Sequence, residues 1–377
     1  MYAKIFVPIL LIIVSCTYHN ESKIIQEKLD AKLIDTNATF GTIALFYNLL
    51  KNPDSTVIFG HHHSTAYGIG WRDDKDRSDI KDVTGSYPGI VGWDFADLNY
   101  QKNNNPDWLK DHAVNAYNNG LINIFAWHLD NLVTGGSFYD TTIVVKHILP
   151  GGSHHDVYKN ELKRIAYFSK HLIGKDGKLI PIIFRPFHEF DGSWFWWGEH
   201  FCTPEEFIKL WQFTITYLRD TLKVNNIIYA FSPDCTFTNY SEFLERFPGD
   251  DFVDLIGMDN YWDFTNLGEG TDTVVKKLKL ITKIAREKNK IAAFTETGLE
   301  KIPDNKWWTE KLLKVLKSDS VNVSFVMVWR NAYINHFYAP FKNHPCSQNF
   351  IEFKNDPKII FADELSDIFN IDMVLSK

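Results

Sequence analysis

The sequence is poor in several features that would settle its class early. Four cysteines in 377 residues exclude a disulfide-dense scaffold. There is no excess of positive charge; the net charge is −7, so nucleic acid is not expected as a partner. The amino-terminal apolar run Ile5–Val14 is too short to span a bilayer. No repeat and no long Pro/Gly/Ser linker follows residue 40, and no Gly-rich phosphate turn follows the first strand-like segment. Charged residues at 23% and hydrophobic ones at 45% exclude disorder. What is abundant is flat rings: 29 Phe, 16 Tyr and 12 Trp, or 15% of the chain.

The run behind Lys4 fits the apolar core of a secretory signal, and it ends Ile13-Val14-Ser15-Cys16. That ending is similar to a bacterial lipobox, the plainer alternative being an ordinary signal peptide with a chance cysteine. It predicts a lipoprotein signal peptide over 1–15, lipid on Cys16 and a lipid-anchored tether over 16–35 that includes a short helix. The chain is then expected at the bacterial cell envelope, on the outer membrane facing periplasm or cell surface, touching membrane through that lipid only. Cys202, Cys235 and Cys346 remain; three is odd, so at least one is free unless it pairs between chains.

From residue 36 to 377 strand-like and helix-like segments alternate. Apolar runs occur at 57–62, 90–95, 121–129, 179–189, 226–234, 253–261, 291–298 and 323–330. Helical spacing covers about 106–118, 155–172, 271–288, 304–317 and 359–371. A further helix begins at Thr203, with Pro204 in first position and Glu206 in third, a capping-box start. The stretch 63–88 reads as a long loop. Eight strands alternating with helices predict an α/β fold, a single (β/α)8 TIM barrel. An open doubly wound sheet is the rival, and it usually carries the phosphate turn missing here.

The strand runs end on His61, Asp94, His128, Glu189, Asp234, Tyr261, Glu296 and Trp329. In a barrel these ends share one face. Glu189 and Glu296, at the ends of the fourth and seventh strands, would meet across it. Two carboxylates are what retaining glycoside hydrolysis needs, one as proton donor and one as nucleophile. Around the first runs Arg185-Pro-Phe-His-Glu-Phe-Asp-Gly-Ser-Trp-Phe-Trp-Trp-Gly198, where rings bracket an acid. Sugar C–H faces stack on such rings, and apolar surroundings raise a carboxyl pKa as a general acid requires. By this reading Trp127, Trp194, Trp196, Trp197, Tyr261, Trp262 and Trp329 form a sugar-stacking surface.

The pattern R-P-x-H-E-x-x-G-x-W-F-W-W-G, with Glu296 in Phe294-x-Glu-x-Gly298, resembles glycoside hydrolase family 26, whose best-known members are β-mannanases. The resemblance covers the chain from about residue 40. It implies a retaining (β/α)8 hydrolase in which Glu189 is the acid/base and Glu296 the nucleophile, with no cofactor. It also implies that His188 precedes the acid/base, that His128 of Trp127-His128 lines the −1 subsite, and that Trp194 stands beside the acid/base. Tyr261 in Asp259-Asn260-Tyr261 would position the nucleophile. Trp329 would be the −1 platform, and Arg330 would reach the −2 sugar. The expected partner is β-mannan polysaccharide or oligosaccharide, and the expected state is a monomer.

His61-His62-His63 invites a metal, but no Cys ligand or H-E-x-x-H run supports one. In an extended strand His61 and His63 share a face and His62 points away. The expectation is that His61 or His63 lines the cleft and reaches sugar hydroxyls, without metal. The loop 63–88, with Tyr67, Trp71 and Tyr87, is expected to wall the glycone end and favour short products or chain-end cleavage. The rival readings are the same fold acting on mixed-linkage β-glucan or β-1,3-xylan, a non-catalytic glycan-binding surface lipoprotein, and a metal-dependent carbohydrate deacetylase.

Overall fold

A computed structural model describes residues 21–30, 32–52, 56–98 and 107–376. The signal segment 1–15 and Cys16 lie outside them; within the expected tether, residues 21–29 are helical.

Eight parallel staves close into a barrel. They are β1 (Val57–His62), β2 (Ile90–Asp94), β3 (Ile122–Ala126), β4 (Ile182–Arg185), β5 (Ile227–Phe231) and β8 (Phe325–Val328). Two more are interrupted: β6 is Leu255–Ile256 and Asp259–Asn260, and β7 is Ile291–Ala292 and Phe294–Thr297. Neighbours in sequence pair around the ring from β1 to β6. Both pieces of β7 pair with β6, and the second pairs with β8, which returns to β1. This is the predicted α/β barrel.

Which side chains face inward follows from two buried apolar clusters. Ile58, Ile90, Ile124, Ile183, Ile228 and Met327 belong to the inner one. Phe59, Val91, Phe125, Phe184, Tyr229 and Val326 belong to the outer one, between staves and helices. Side chains alternate along a strand, so the inward set on β1 continues Ile58, Gly60, His62. On β3 it continues Ile122, Ile124, Ala126 and then His128. The helix Phe40–Lys51, capped by Thr39, adds Ile43, Phe46 and Leu49 to the inner cluster. That helix was not expected from the sequence.

The capping box at Thr203 forms: Glu206 N–H donates to Thr203 Oγ1 at 3.2 Å, and Thr203 N–H to Glu206 Oε2 at 3.0 Å. Three expectations need correction. Residues 359–371 are not a helix; Ile359–Ile360 pairs in parallel with the start of β1, and only Ile371–Leu375 is helical. Apolar residues at a sheet edge mimic a helical stripe when the run is short. The stretch 63–88 is not irregular, because it holds a hairpin, Tyr67–Gly68 with Trp71–Arg72, and a helix Asp79–Thr84. Buried Asp79 organises it, accepting from Ile69 N–H, the Trp71 indole and Asn331 Nδ2 at 2.7–2.9 Å. Finally, β4 stops at Arg185, so Glu189 sits on a turn beyond the strand.

Candidate active site

Arg185 ends β4 on its inward phase and is buried at the centre of the barrel mouth. Its Nη1 donates to Asp259 Oδ2 at 2.5 Å and to Ser232 Oγ at 3.1 Å, and its Nη2 donates to Glu296 Oε1. Asp259 opposes Glu296 in the β6–β7 register. The register shifts between Phe294 and Thr297, so a β-bulge aims Glu296 into the mouth. The Tyr261 hydroxyl donates to Glu296 Oε2 at 2.9 Å.

Glu189 approaches from the other side. The turn after β4 puts Phe187 and Glu189 in the left-handed region, with φ of 50° and 54°. Such backbone is costly for residues with a Cβ. Glu189 N–H donates to Ser232 O at 3.0 Å, tying the turn to β5. The Trp194 indole N–H donates to Glu189 Oε2 at 2.7 Å. Gly192 makes this possible, because a Cβ there would lie 2.3 Å from the Trp194 ring.

Oxygens of Glu189, Asp259 and Glu296 lie within 4.8 Å of one another. Their environments drive the two glutamates apart. Burial raises the Glu189 carboxyl, and the charges of Asp234, Asp259 and Glu296 push it further up, well above the usual range. Burial also works to raise Glu296, but the Arg185 guanidinium and His62 overcome it and hold this carboxyl well below that range. One carboxyl is therefore biased toward its protonated form and the other toward its ionised form, with oxygens within 4.8 Å. That is the division of labour retaining hydrolysis demands, and the spacing is the short one rather than the roughly 6.5–9.5 Å of inverting sites. Arg185 is the counter-charge shared by Asp259 and Glu296.

Around this pair the cleft is built as follows. Trp329 is half-buried on the inward phase of β8, its ring 4.4 Å from that of His62 and 6.0 Å from that of His128. His128 Nδ1 lies 2.6 Å from Asp94 Oδ2. Arg330 Nη1 donates to Tyr67 OH at 3.3 Å, joining the 63–88 hairpin to the β8 end. On the far side of Glu189 opens a cavity of 1030 Å³ lined by Trp194, Asp234, Tyr240, Tyr261 and Trp262, among others.

The structure brings together Glu189, Glu296, His128, Trp194, Tyr261, Trp329 and Arg330. Trp262 stays exposed on the wall of the cavity beyond Glu189, whereas Trp127, Asp259, His188, Trp196, Trp197, His61 and His63 are buried. Trp127 is 3% exposed and stacks on Tyr158, because it is one residue out of phase with His128. Asp259 has no exposure and accepts from Arg185. His188 is almost closed off, edge-on to His128 and against Phe195. Trp196 and Trp197 are fully buried and donate to Leu129 O and His188 O, both at 2.8 Å. They build the turn that carries Glu189 and offer no stacking surface.

The histidine run is reversed. His61 is buried on the outward phase, and burial lowers its pKa to about 3. His63 is buried at φ 52°, with Nε2 3.0 Å from Asp97 Oδ2 and its ring stacked 4.9 Å from Tyr67. It holds the hairpin from behind. His62, expected to point away, is the one that faces the site. Among the described residues, the groups that converge as three potential metal ligands are the three carboxylates, with no histidine among them. Arg185 was missed as a site residue, while Asp94 and Asp234 were placed at the strand ends without a role. The first stood in the quoted motif, on a phase the sequence does not reveal.

The (β/α)8 barrel places one carboxyl just past its fourth stave and a second within its seventh, the pair of acids that retaining glycoside hydrolysis uses. The model of glycosyl hydrolase family 26 matches residues 34–348, and the chain belongs to that family. A curated mannan endo-1,4-beta-mannosidase of Bifidobacterium adolescentis is 34% identical over 79% of this chain. The chain spans about a third of that relative's length, as the match covers 32% of it. Among solved structures, GH26C from Muricauda sp. MAR_2010_75 is similar at 41% identity and TM-score 0.85, over 92% of this chain and 97% of its own. The GH26 beta-mannanase BoMan26A from Bacteroides ovatus is similar at 37% identity and TM-score 0.81, over 88% and 98%.

Proposed function

We propose that the protein is a retaining β-mannanase hydrolysing β-1,4-mannosidic linkages in mannan, glucomannan or galactomannan. The observation that carries the chemistry is the approach of Glu189 and Glu296 within 4.8 Å, with burial pushing the first carboxyl up and Arg185 pulling the second down. Glu189 delivers its proton to the departing glycosidic oxygen while ionised Glu296 attacks the anomeric carbon, forming a glycosyl–enzyme. Glu189, now a carboxylate, takes a proton from water, which attacks the same carbon from the face the leaving group vacated, breaking the bond to Glu296 and returning that residue as a carboxylate. Tyr261 and Arg185 hold Glu296 at the attack angle, and Trp329 supplies a platform for the sugar. The mannan preference draws on the relatives, including the mannosidase of Bifidobacterium adolescentis and the mannanase of Bacteroides ovatus.

The test is a panel. Wild type and Glu296→Ala are incubated with mannan, lichenan and xylan, with and without EDTA, and new reducing ends are followed. Release from mannan that is lost in Glu296→Ala and indifferent to EDTA is expected. An inactive wild type leaves the glycan-binding reading, EDTA sensitivity revives the metal, and activity on lichenan or xylan alone moves the substrate. The same reading takes the enzyme to be a monomer anchored in the bacterial envelope by lipid on Cys16, supported by the aliphatic run that ends there. Cys16→Ser should release it from the membrane fraction.

A further inference from the structure

His62 takes no proton and attacks nothing in the reaction written above; so far it has entered only as a neighbour that helps to keep Glu296 ionised. It closes β1, pairs in register with Gly92 of β2 and is buried. Neither of its ring nitrogens has a hydrogen-bond partner among the described residues. A buried imidazole without partners is costly and asks for a reason. Three contacts define its place. A Cβ on Gly92 would lie 2.4 Å from His62 Nδ1 and 2.6 Å from Cγ and Cε1, so only bare backbone at 92 admits the ring. Its ring centroid is 4.4 Å from that of Trp329. Its Nε2 is 3.5 Å from Glu296 Oε1, the oxygen that also receives Arg185.

We infer that His62 is a positioning residue for the reaction proposed above, a wedge that fixes the Glu296 carboxylate and the Trp329 platform in one relation. The attacking oxygen and the sugar plane come from different staves, β7 and β8, and the imidazole is the body that touches both. Burial, more than any neighbouring charge, lowers its pKa to about 4, so it is neutral at neutral pH. A neutral ring fills the space beside Arg185 without adding a second buried cation. The 3.5 Å separation suits a contact that shortens when a sugar seats on Trp329, as hydrogen bonds in empty active sites do.

The test uses an aryl β-mannoside whose leaving group is poor enough to keep formation of the glycosyl–enzyme rate-limiting, so kcat reads the nucleophilic step. His62→Ala is expected to fold and to lose about 10²-fold in kcat with KM little changed, the scale of a misplaced reacting group. His62→Gln, which returns an N–H donor near Nε2, should recover part of it. Gly92→Ala should lose a comparable amount in the wild type and nothing further in His62→Ala, because its Cβ then meets no ring. Unchanged kcat in folded His62→Ala, or a Gly92→Ala cost that is the same in both backgrounds, overturns the inference. If His62→Ala does not fold, Gly92→Ala and His62→Gln in wild type decide it by the kcat-against-KM split. Activity persisting in Glu296→Ala would instead sink the underlying reading, so the two failures are separable.

Discussion

Arg185 and Glu296 stand on opposite staves of the barrel and meet in a buried ion pair, Nη2 to Oε1, with Asp259 completing the fork. Four residues beyond Arg185 the same segment delivers Glu189. One short stretch thus supplies both the charge that keeps one glutamate ionised and the second glutamate, whose proton burial retains. Arg185→Met leaves two buried carboxylates without their counter-charge. We expect a loss of about 3–5 kcal/mol in urea unfolding, together with a kcat/KM drop on activated substrates. Unfolding at the wild-type urea concentration would show that the pair does not hold the mouth together.

The pH profile of kcat/KM should be a bell. Activity appears as Glu296 loses its proton on the acid side, because only the carboxylate attacks. It disappears as Glu189 loses its own on the alkaline side, because only the acid form assists departure. The elevated Glu189 carboxyl places that second limb higher than an ordinary glutamate would. After burial, the Asp234 charge is the next cause of the elevation. Asp234→Asn should therefore move the alkaline limb to lower pH and leave the acid limb where it is.

Tyr261→Phe removes the hydroxyl that donates to Glu296 Oε2. A hydrogen bond to an ionised group contributes about 1.5–3 kcal/mol, which corresponds to roughly 10–100-fold in kcat. The phenol stays protonated because burial, the Glu296 charge and the Tyr338 phenol all raise its pKa. The loss should accordingly be flat across the working pH range; a loss confined to high pH would contradict this role.

Buried and exposed rings should separate in experiment. Trp196→Ala empties a fully enclosed site and should cost about 3–5 kcal/mol of stability. Trp262, 52% exposed at the rim of the larger cavity, should cost within about 0.5 kcal/mol when cut to Ala. Its effect should fall on KM for long substrates. Equal stability losses in the two variants would refute the division.

Cys202, Cys235 and Cys346 are all buried and free. The melting temperature should be the same with and without reductant, and thiol reagents should reach these three only after denaturation.

The sequence by itself determined the alternation of eight apolar segments with helices. It determined too that polar and aromatic residues close the strand runs, and it placed Glu189 and Glu296 on the fourth and seventh of them. Those features survive any choice of register, since they depend on composition and order along the chain. Tertiary structure decided the phase. Strands buried on both faces are apolar at consecutive positions, so the period of two that would mark the inner face is hidden. A shift of one residue exchanges the faces. That single ambiguity explains why Trp127 goes into the outer layer and His61 is buried on the outward phase, while His128 and His62 face the mouth. It also explains why Arg185 went unassigned. Other decisions needed chain segments far apart in sequence. The β7 bulge aims Glu296, and the Asp79 carboxylate shapes what had read as an open loop. The left-handed turn after β4 turns Trp196 and Trp197 inward and leaves Trp194 against the acid. The ring excess therefore has two uses, and only packing distinguishes the rings that hold Glu189 in place from those that face the sugar.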